Sequence, residues 1–251
     1  MDKIILENFS LSYSDGTESL HQVSLAIPEK QITVLFGPAG GGKSTLLRAL
    51  NRLNDLTDIR QQSGRILLDG VDIYASGVDV AALRRKVSMV FATPVVLPFS
   101  IRRNVLFGLE LAGESSPKRL KEALERSLVQ AALWDEISDR LDDPAVALSG
   151  GQQQRLCLAR SLALQPEVIL LDEPTSGLDP ISTSKVENSL QELKRDYTIV
   201  LVPHSVQQAA RTADMAAFFL QGELVESAPG KALFTNPRDQ RTQDYVEGRF
   251  G

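Results

Sequence analysis

One stretch of this sequence combines the residue types that hold a polyphosphate. Gly37-Pro38-Ala39-Gly40-Gly41-Gly42-Lys43-Ser44 fits the pattern G-x-x-x-x-G-K-[ST]. Glycines let consecutive backbone N–H groups turn toward one anion without side-chain interference. A helix starting at Lys43 adds the partial positive charge of its N-terminus. Lys43 then offsets charge on the β- and γ-phosphates, the Ser44 hydroxyl ligates Mg²⁺, and Thr45 joins the same nucleotide-binding set. A second stretch, Val168-Ile169-Leu170-Leu171-Asp172-Glu173, is an apolar strand pattern ending in two carboxylates. Asp172 is placed to hold Mg²⁺ through water, because that ion keeps much of its hydration shell. Glu173, one step further along the emerging chain, points elsewhere and is placed to take a proton from an attacking water.

A third stretch, Leu148-Ser149-Gly150-Gly151-Gln152, reads as a second helix N-terminus with small residues where an anion could approach. One nucleotide needs no second site so far away in the same chain. With these motifs together, the sequence resembles the nucleotide-binding subunits of ATP-binding-cassette transporters. The resemblance implies a head-to-tail dimer in which Ser149, Gly150, Gly151 and Gln152 close over ATP held by the cradle of the other copy. It implies further roles residue by residue. Tyr13 matches the aromatic that stacks on adenine, Asp179 in Ser176-Gly177-Leu178-Asp179 matches the loop that couples the two sites, and His204 matches the histidine that contacts the γ-phosphate. His21 has no such match.

One position departs from the family. A glutamine that contacts Mg²⁺ and the attacking water normally follows the strand at 87–91; here Val90-Phe91 runs into Ala92-Thr93-Pro94. A methyl group neither coordinates a metal nor hydrogen-bonds. ATP binding is expected to survive this change, while hydrolysis rate and coupling are open. Outside the motifs, Asn51-Arg52-Leu53-Asn54-Asp55-Leu56, Ala132-Leu133-Trp134-Asp135-Glu136, Gln152-Gln153-Gln154-Arg155-Leu156-Cys157 and the terminal Tyr245-Val246-Glu247-Gly248-Arg249-Phe250-Gly251 look like the ATPases of bacterial phosphate importers. That likeness implies integral-membrane permease subunits as partners and, indirectly, a phosphate-binding protein. It also implies a peripheral position on the cytoplasmic face of the inner membrane. No residue is identified that would bind phosphate as cargo.

The elements that must position these residues are legible in outline. Loose alternation predicts strands at 4–13, 23–27 and 31–36, with a turn at Pro28-Glu29-Lys30. A helix is predicted at 43–53, short strands at 64–69 and 71–74, and a buried strand at 87–91. Helices at 100–107, 117–133 and 150–164 follow without a strand between them. Strand–helix alternation then resumes: strand 168–171, helix 182–194, strands 199–202 and 216–220. Such alternation favours a parallel sheet covered by helices. With the resemblance, the expected fold is α/β, a P-loop NTPase (RecA-like) core with an antiparallel β subdomain and an inserted helical subdomain. The expected division is 1–93 for the ATP-binding core and β subdomain, 94–165 for the helical subdomain with the signature, and 166–251 for the rest of the core and a tail.

Composition narrows the function classes. The 251 residues carry 27 Lys+Arg and 32 Asp+Glu, a net charge of −5. That weighs against bulk nucleic-acid binding, and so does the lack of long heptad arms. The clusters Arg84-Arg85-Lys86 and Lys118-Arg119 read as solvated helix faces. One cysteine allows no intrachain disulfide, and the longest apolar runs fall well short of the ~20 residues that span a bilayer. The N-terminus lacks the pattern of a signal peptide. No Asn-Lys-x-Asp motif reads guanine, so ATP is the expected nucleotide. Two readings stand beside a transport ATPase: an ATP-switched regulatory or binding module with little turnover, kept open by Ala92, and a nucleic-acid-associated cassette protein.

Overall fold

The computed structural model describes residues 1–249; Phe250 and Gly251, the end of the terminal stretch quoted above, lie outside the described residues. The N-terminal strands β1 (Asp2–Tyr13) and β2 (Glu18–Pro28) alternate buried and exposed side chains, but not without interruption. Asn8 and Gln22 take positive φ, 47° and 45°, and shift the register there. The bulge at Asn8 puts both Leu6 and Phe9 into the core, three positions apart. The bulge at Gln22 also carries β2 back to Glu18, earlier than the pattern alone predicts, because Leu20 and Val23 are both buried across it.

Next come β3 (Ile32–Phe36), α1 (Lys43–Leu50), β4 (Ile59–Leu68), β5 (Val71–Asp72), α2 (Val80–Lys86) and β6 (Val87–Val90). The strand expected from residue 64 starts at Ile59, since the polar run Gln61, Gln62, Ser63 pairs with Ser12, Leu11 and Ser10 of β1. The helical layer holds α3 (Ile101–Leu111), α4 (Pro117–Gln130), α5 (Trp134–Ile137) and α6 (Gly150–Ala163). Ser100 and Ser116 cap α3 and α4 through the Arg103 and Arg119 N–H groups, and Pro117 occupies the first turn of α4. The rest is β7 (Val168–Asp172), α7 (Pro180–Leu193), β8 (Thr198–Val202), α8 (Val206–Thr212), β9 (Met215–Leu220), β10 (Glu223–Pro229), α9 (Gly230–Thr235) and α10 (Gln240–Val246).

Two sheets result. One is antiparallel, in the order β2-β1-β4-β5; the other runs β10-β9-β3-β8-β7-β6, parallel from β9 to β6 with β10 antiparallel at its edge. The strands β3, β7 and β8 are buried along their whole length, as strands covered on both faces must be. Their side chains divide between two cores. Val34, Phe36, Ile169, Leu171, Ile199 and Leu201 pack with Ile101, Leu124, Leu128, Leu156 and Leu162 of the helical layer. Leu35, Val168, Leu170, Val200 and Val202 pack with Leu46, Leu47 and Leu50 of α1 and with the antiparallel sheet. Full burial of each such aliphatic side chain contributes about 2 kcal/mol.

The solvated-face reading of Arg84 is corrected by the structure. Its guanidinium donates to the Asn51 carbonyl at 3.3 Å and to the Arg52 carbonyl at 2.7 Å, so it ties α2 to the end of α1. Cations suit such a place, where helix carbonyls lack intrahelical partners. Among the described residues, no helix is long and apolar enough to cross a membrane.

Candidate nucleotide site

The parallel strands end on one edge of their sheet, and the chemistry-bearing residues follow those ends. β3 leads into Gly37, β7 ends at Asp172 with Glu173 next, β8 leads to His204, and β6 leads to Ala92. Ligands of open α/β sheets sit at this carboxyl edge.

The cradle admits only glycine at its tightest points. Gly37 has φ +142°, and a Cβ there would lie 2.0 Å from the Phe219 carbonyl oxygen. Gly42 has φ +90°, with a Cβ 2.4 Å from the Ser19 carbonyl oxygen. Gly42 opens α1 with no side-chain cap, and no acidic residue stands in the first turn. The donors of that turn are thus left to an anion. Lys43 Nζ donates to the carbonyls of Gly37 at 2.9 Å and Pro38 at 2.7 Å, bracing the loop that it closes. Burial pushes the Lys43 ammonium below the usual lysine value, and the charges of Glu173 and Asp172 oppose that. Phosphate oxygens in the cradle would favour its charged form further.

Ser44 Oγ donates to Asp172 Oδ1 at 3.0 Å, and Asp172 is 8% exposed. A hydroxyl and a carboxylate oxygen are hard oxygen donors, the kind Mg²⁺ takes directly or through its water shell, so the pair fits that ion. Among the described residues, no group of three or more His, Cys, Asp and Glu could hold a metal by itself.

Glu173 takes φ 45°, and its N–H donates to the Val202 carbonyl at 2.9 Å, which turns the chain as it leaves the sheet. Its carboxylate lies 3.9 Å from His204 Nδ1, both side chains well exposed. Lys43, Ser44, Asp172, Glu173 and His204 therefore face one region, with Gly40 and Gly41 on the loop beside it. Thr45 Oγ1 receives hydrogen bonds from Tyr13 at 3.2 Å and from Ser19 at 2.8 Å, and the Tyr13 hydroxyl also reaches Asn54 Oδ1 at 3.3 Å. This fixes the Tyr13 ring beside the first turn of α1. Pro38 and Ala39 complete the loop.

The 149–152 turn is built separately. Ser149 accepts from the Gln152 N–H, and the Gln152 side chain accepts from the Ser149 N–H, a reciprocal cap. Gly150 is open on its side, while a Cβ on Gly151 would lie 2.7 Å from Ser182 Oγ. Asp179 caps α7 through the Ile181 and Ser182 N–H groups and accepts from Ser182 Oγ at 2.6 Å, which holds its carboxyl below the usual range. The turn and Asp179 are thus neighbours. Among the described residues, no hydrogen bond joins the turn to the cradle of the same chain.

Sequence reasoning missed the node behind that turn. Glu136 of α5 pairs with Arg155 at 2.8 Å and with Lys185 of α7, and accepts from Gln152 Nε2 at 3.0 Å. The Arg155 guanidinium, its side chain only 3% exposed, also donates to the Ala132 carbonyl. The Arg155 hydrogen bonds chiefly hold the Glu136 carboxyl down at about 2. The signal was present in the quoted sequence only as isolated charges on different elements.

The ABC transporter family model matches residues 20–176, from within β2 to just past the acidic pair. The chain belongs to the ABC transporter family, and its fold is the ABC ATPase fold: a P-loop NTPase core with an antiparallel β subdomain. It is similar to the phosphate import ATP-binding protein PstB of Shewanella denitrificans, 55% identical over 246 residues, covering 98% of this chain and 90% of that one. Among solved structures it is similar to cbiO1 of Clostridium perfringens, part of the ABC transporter complex cbiONQ, with a TM-score of 0.82 and 27% identity over 99% of this chain and 96% of that one.

Proposed function

We propose that this ABC ATPase powers an importer of inorganic phosphate, working as a pair of copies bound to membrane permease subunits on the cytoplasmic face and supplied by a phosphate-binding protein. The observation that carries the ATPase part is the convergence of Lys43, Ser44, Asp172, Glu173 and His204 at one sheet edge. The cargo rests on the 55% identity to the phosphate import protein.

In this reading Tyr13 stacks on adenine and the cradle from Gly37 to Thr45 holds the phosphates. Ser44 and Asp172 would hold Mg²⁺, which would supply neutralisation of phosphate charge. Glu173 takes the proton of the attacking water; Lys43 and His204 offset charge as the γ-phosphoryl group leaves in line. The second copy contributes Ser149, Gly150, Gly151 and Gln152, and Asp179 couples the two sites. What supports this sharing is that the 149–152 turn, capped within itself and tied to Glu136, leaves Gly150 open to an approaching group. The division at 1–93, 94–165 and 166–251 belongs to the same proposal, with the last segment reaching past the described residues.

Reconstitution tests the reading. The chain and its permease subunits in vesicles should take up labelled phosphate only with ATP, and the Glu173→Gln variant should abolish uptake. ATP hydrolysis with uptake of a different solute would overturn the cargo. Absence of any association with membrane subunits would favour the regulatory module that Ala92 suggests.

A further inference from the structure

The side chain that reaches both the His204 backbone and the turn leading to Asp179 is Gln208. It lies in the first turn of α8 and is 2% exposed. Its N–H donates to Ser205 Oγ at 3.2 Å, which fixes the start of the helix. Its Oε1 accepts the His204 N–H at 2.9 Å. Its Nε2 donates to Thr175 Oγ1 at 2.9 Å and to Glu187 Oε1 at 3.2 Å. Glu187 is held from its other side by Arg211 at 2.8 Å. Both amide donors and the acceptor are therefore used, without water.

The partners matter more than the count. His204 follows β8 and faces Glu173. Thr175 lies two residues beyond Glu173, and its carbonyl accepts the Leu178 N–H at 3.2 Å in the turn that delivers Asp179. One buried amide thus ties the backbone of the γ-phosphate residue to the loop that follows the acidic pair. The Thr175 hydroxyl can also donate to Oε1, at 3.2 Å, but only an amide can accept at His204 and donate at Glu187. An apolar chain of equal length does neither, and a carboxylate would face Glu187 with like charge.

We propose that Gln208 is a positioning residue for hydrolysis: it fixes where His204 stands relative to Glu173 and passes a shift of His204 to the Asp179 turn. The inference rests on the reading of His204 and Glu173 given above. A buried glutamine that served packing alone would, when replaced, lower stability and leave turnover per folded molecule unchanged.

The test is steady-state ATP hydrolysis by the full chain, with affinity for a non-hydrolysable ATP analogue measured separately. Gln208→Met should lower kcat about tenfold while changing affinity less than about twofold, the split expected for lost alignment. In a His204→Ala background, Gln208→Met should cost less than about twofold more, because the imidazole that Gln208 positions is then absent. Unchanged kcat in Gln208→Met overturns the proposal, and so does the full loss repeated in the His204→Ala background. Should Gln208→Met fail to fold, the exchange of Gln208→Glu with Glu187→Gln decides: it keeps a donor opposite an acceptor and should restore the kcat that Gln208→Glu alone loses. Equal kcat in those two variants overturns the proposal. Undiminished turnover in His204→Ala alone would instead fell the reading on which it rests.

Discussion

Ala92 lies two residues beyond the end of β6, where the family resemblance leads one to expect a glutamine. The preceding carbonyl, that of Phe91, is held by Gln154 Nε2 of α6 at 2.9 Å, so the backbone there is anchored although the side chain offers nothing polar. Ala92→Gln is expected to raise steady-state ATP hydrolysis several-fold without changing ATP affinity; equal turnover in the two proteins would contradict a role for the missing glutamine. The cradle makes a second residue-scale prediction. Gly37→Ala puts a methyl group against the Phe219 carbonyl at a φ of +142°, so it should destabilise by about 2 kcal/mol or more and eliminate ATP binding. Thermal melting and equilibrium ATP binding check this, and wild-type affinity would contradict it. These residues were legible because each motif is contiguous. Gln208 and Glu136 were not legible, because their partners come from elements far apart in sequence and only folding brings them together.

At the scale of elements, Glu136 joins α5, α6 and α7 behind the 149–152 turn. Glu136→Ala leaves the Arg155 guanidinium buried without its carboxylate, a change that costs about 3 kcal/mol where a buried pair is broken. Melting should also show the pH dependence of the pair. The folded carboxyl is held at about 2, below its value in the unfolded chain, so its contribution is fully present above pH ~4.5 and is lost as pH falls toward 2. The gap in melting temperature between wild type and Glu136→Gln should accordingly narrow below pH ~4.5; a constant gap would mean that ionisation plays no part. The long amphipathic helices and fully apolar strands were readable from periodicity. The elements α2, α8, α9 and α10 have six or seven residues each, too few for a helical period to show. β10 mixes Glu223, Glu226 and Ser227 with Leu224, Val225 and Ala228, so it shows no clean apolar alternation.

The whole molecule presents its nucleotide residues at one sheet edge, and the proposed function completes that site with the 149–152 turn of a second copy. The variant Glu173→Gln isolates the claim, since it keeps the cradle, the Mg²⁺ residues and the turn while removing the proton acceptor. The most direct measurement is steady-state ATP hydrolysis by wild type and Glu173→Gln, with bound nucleotide and particle mass followed in the same samples. The account predicts that the variant binds ATP, doubles its mass with Mg²⁺ and ATP, and turns over at least ~100-fold more slowly than wild type. Undiminished hydrolysis by Glu173→Gln would contradict it.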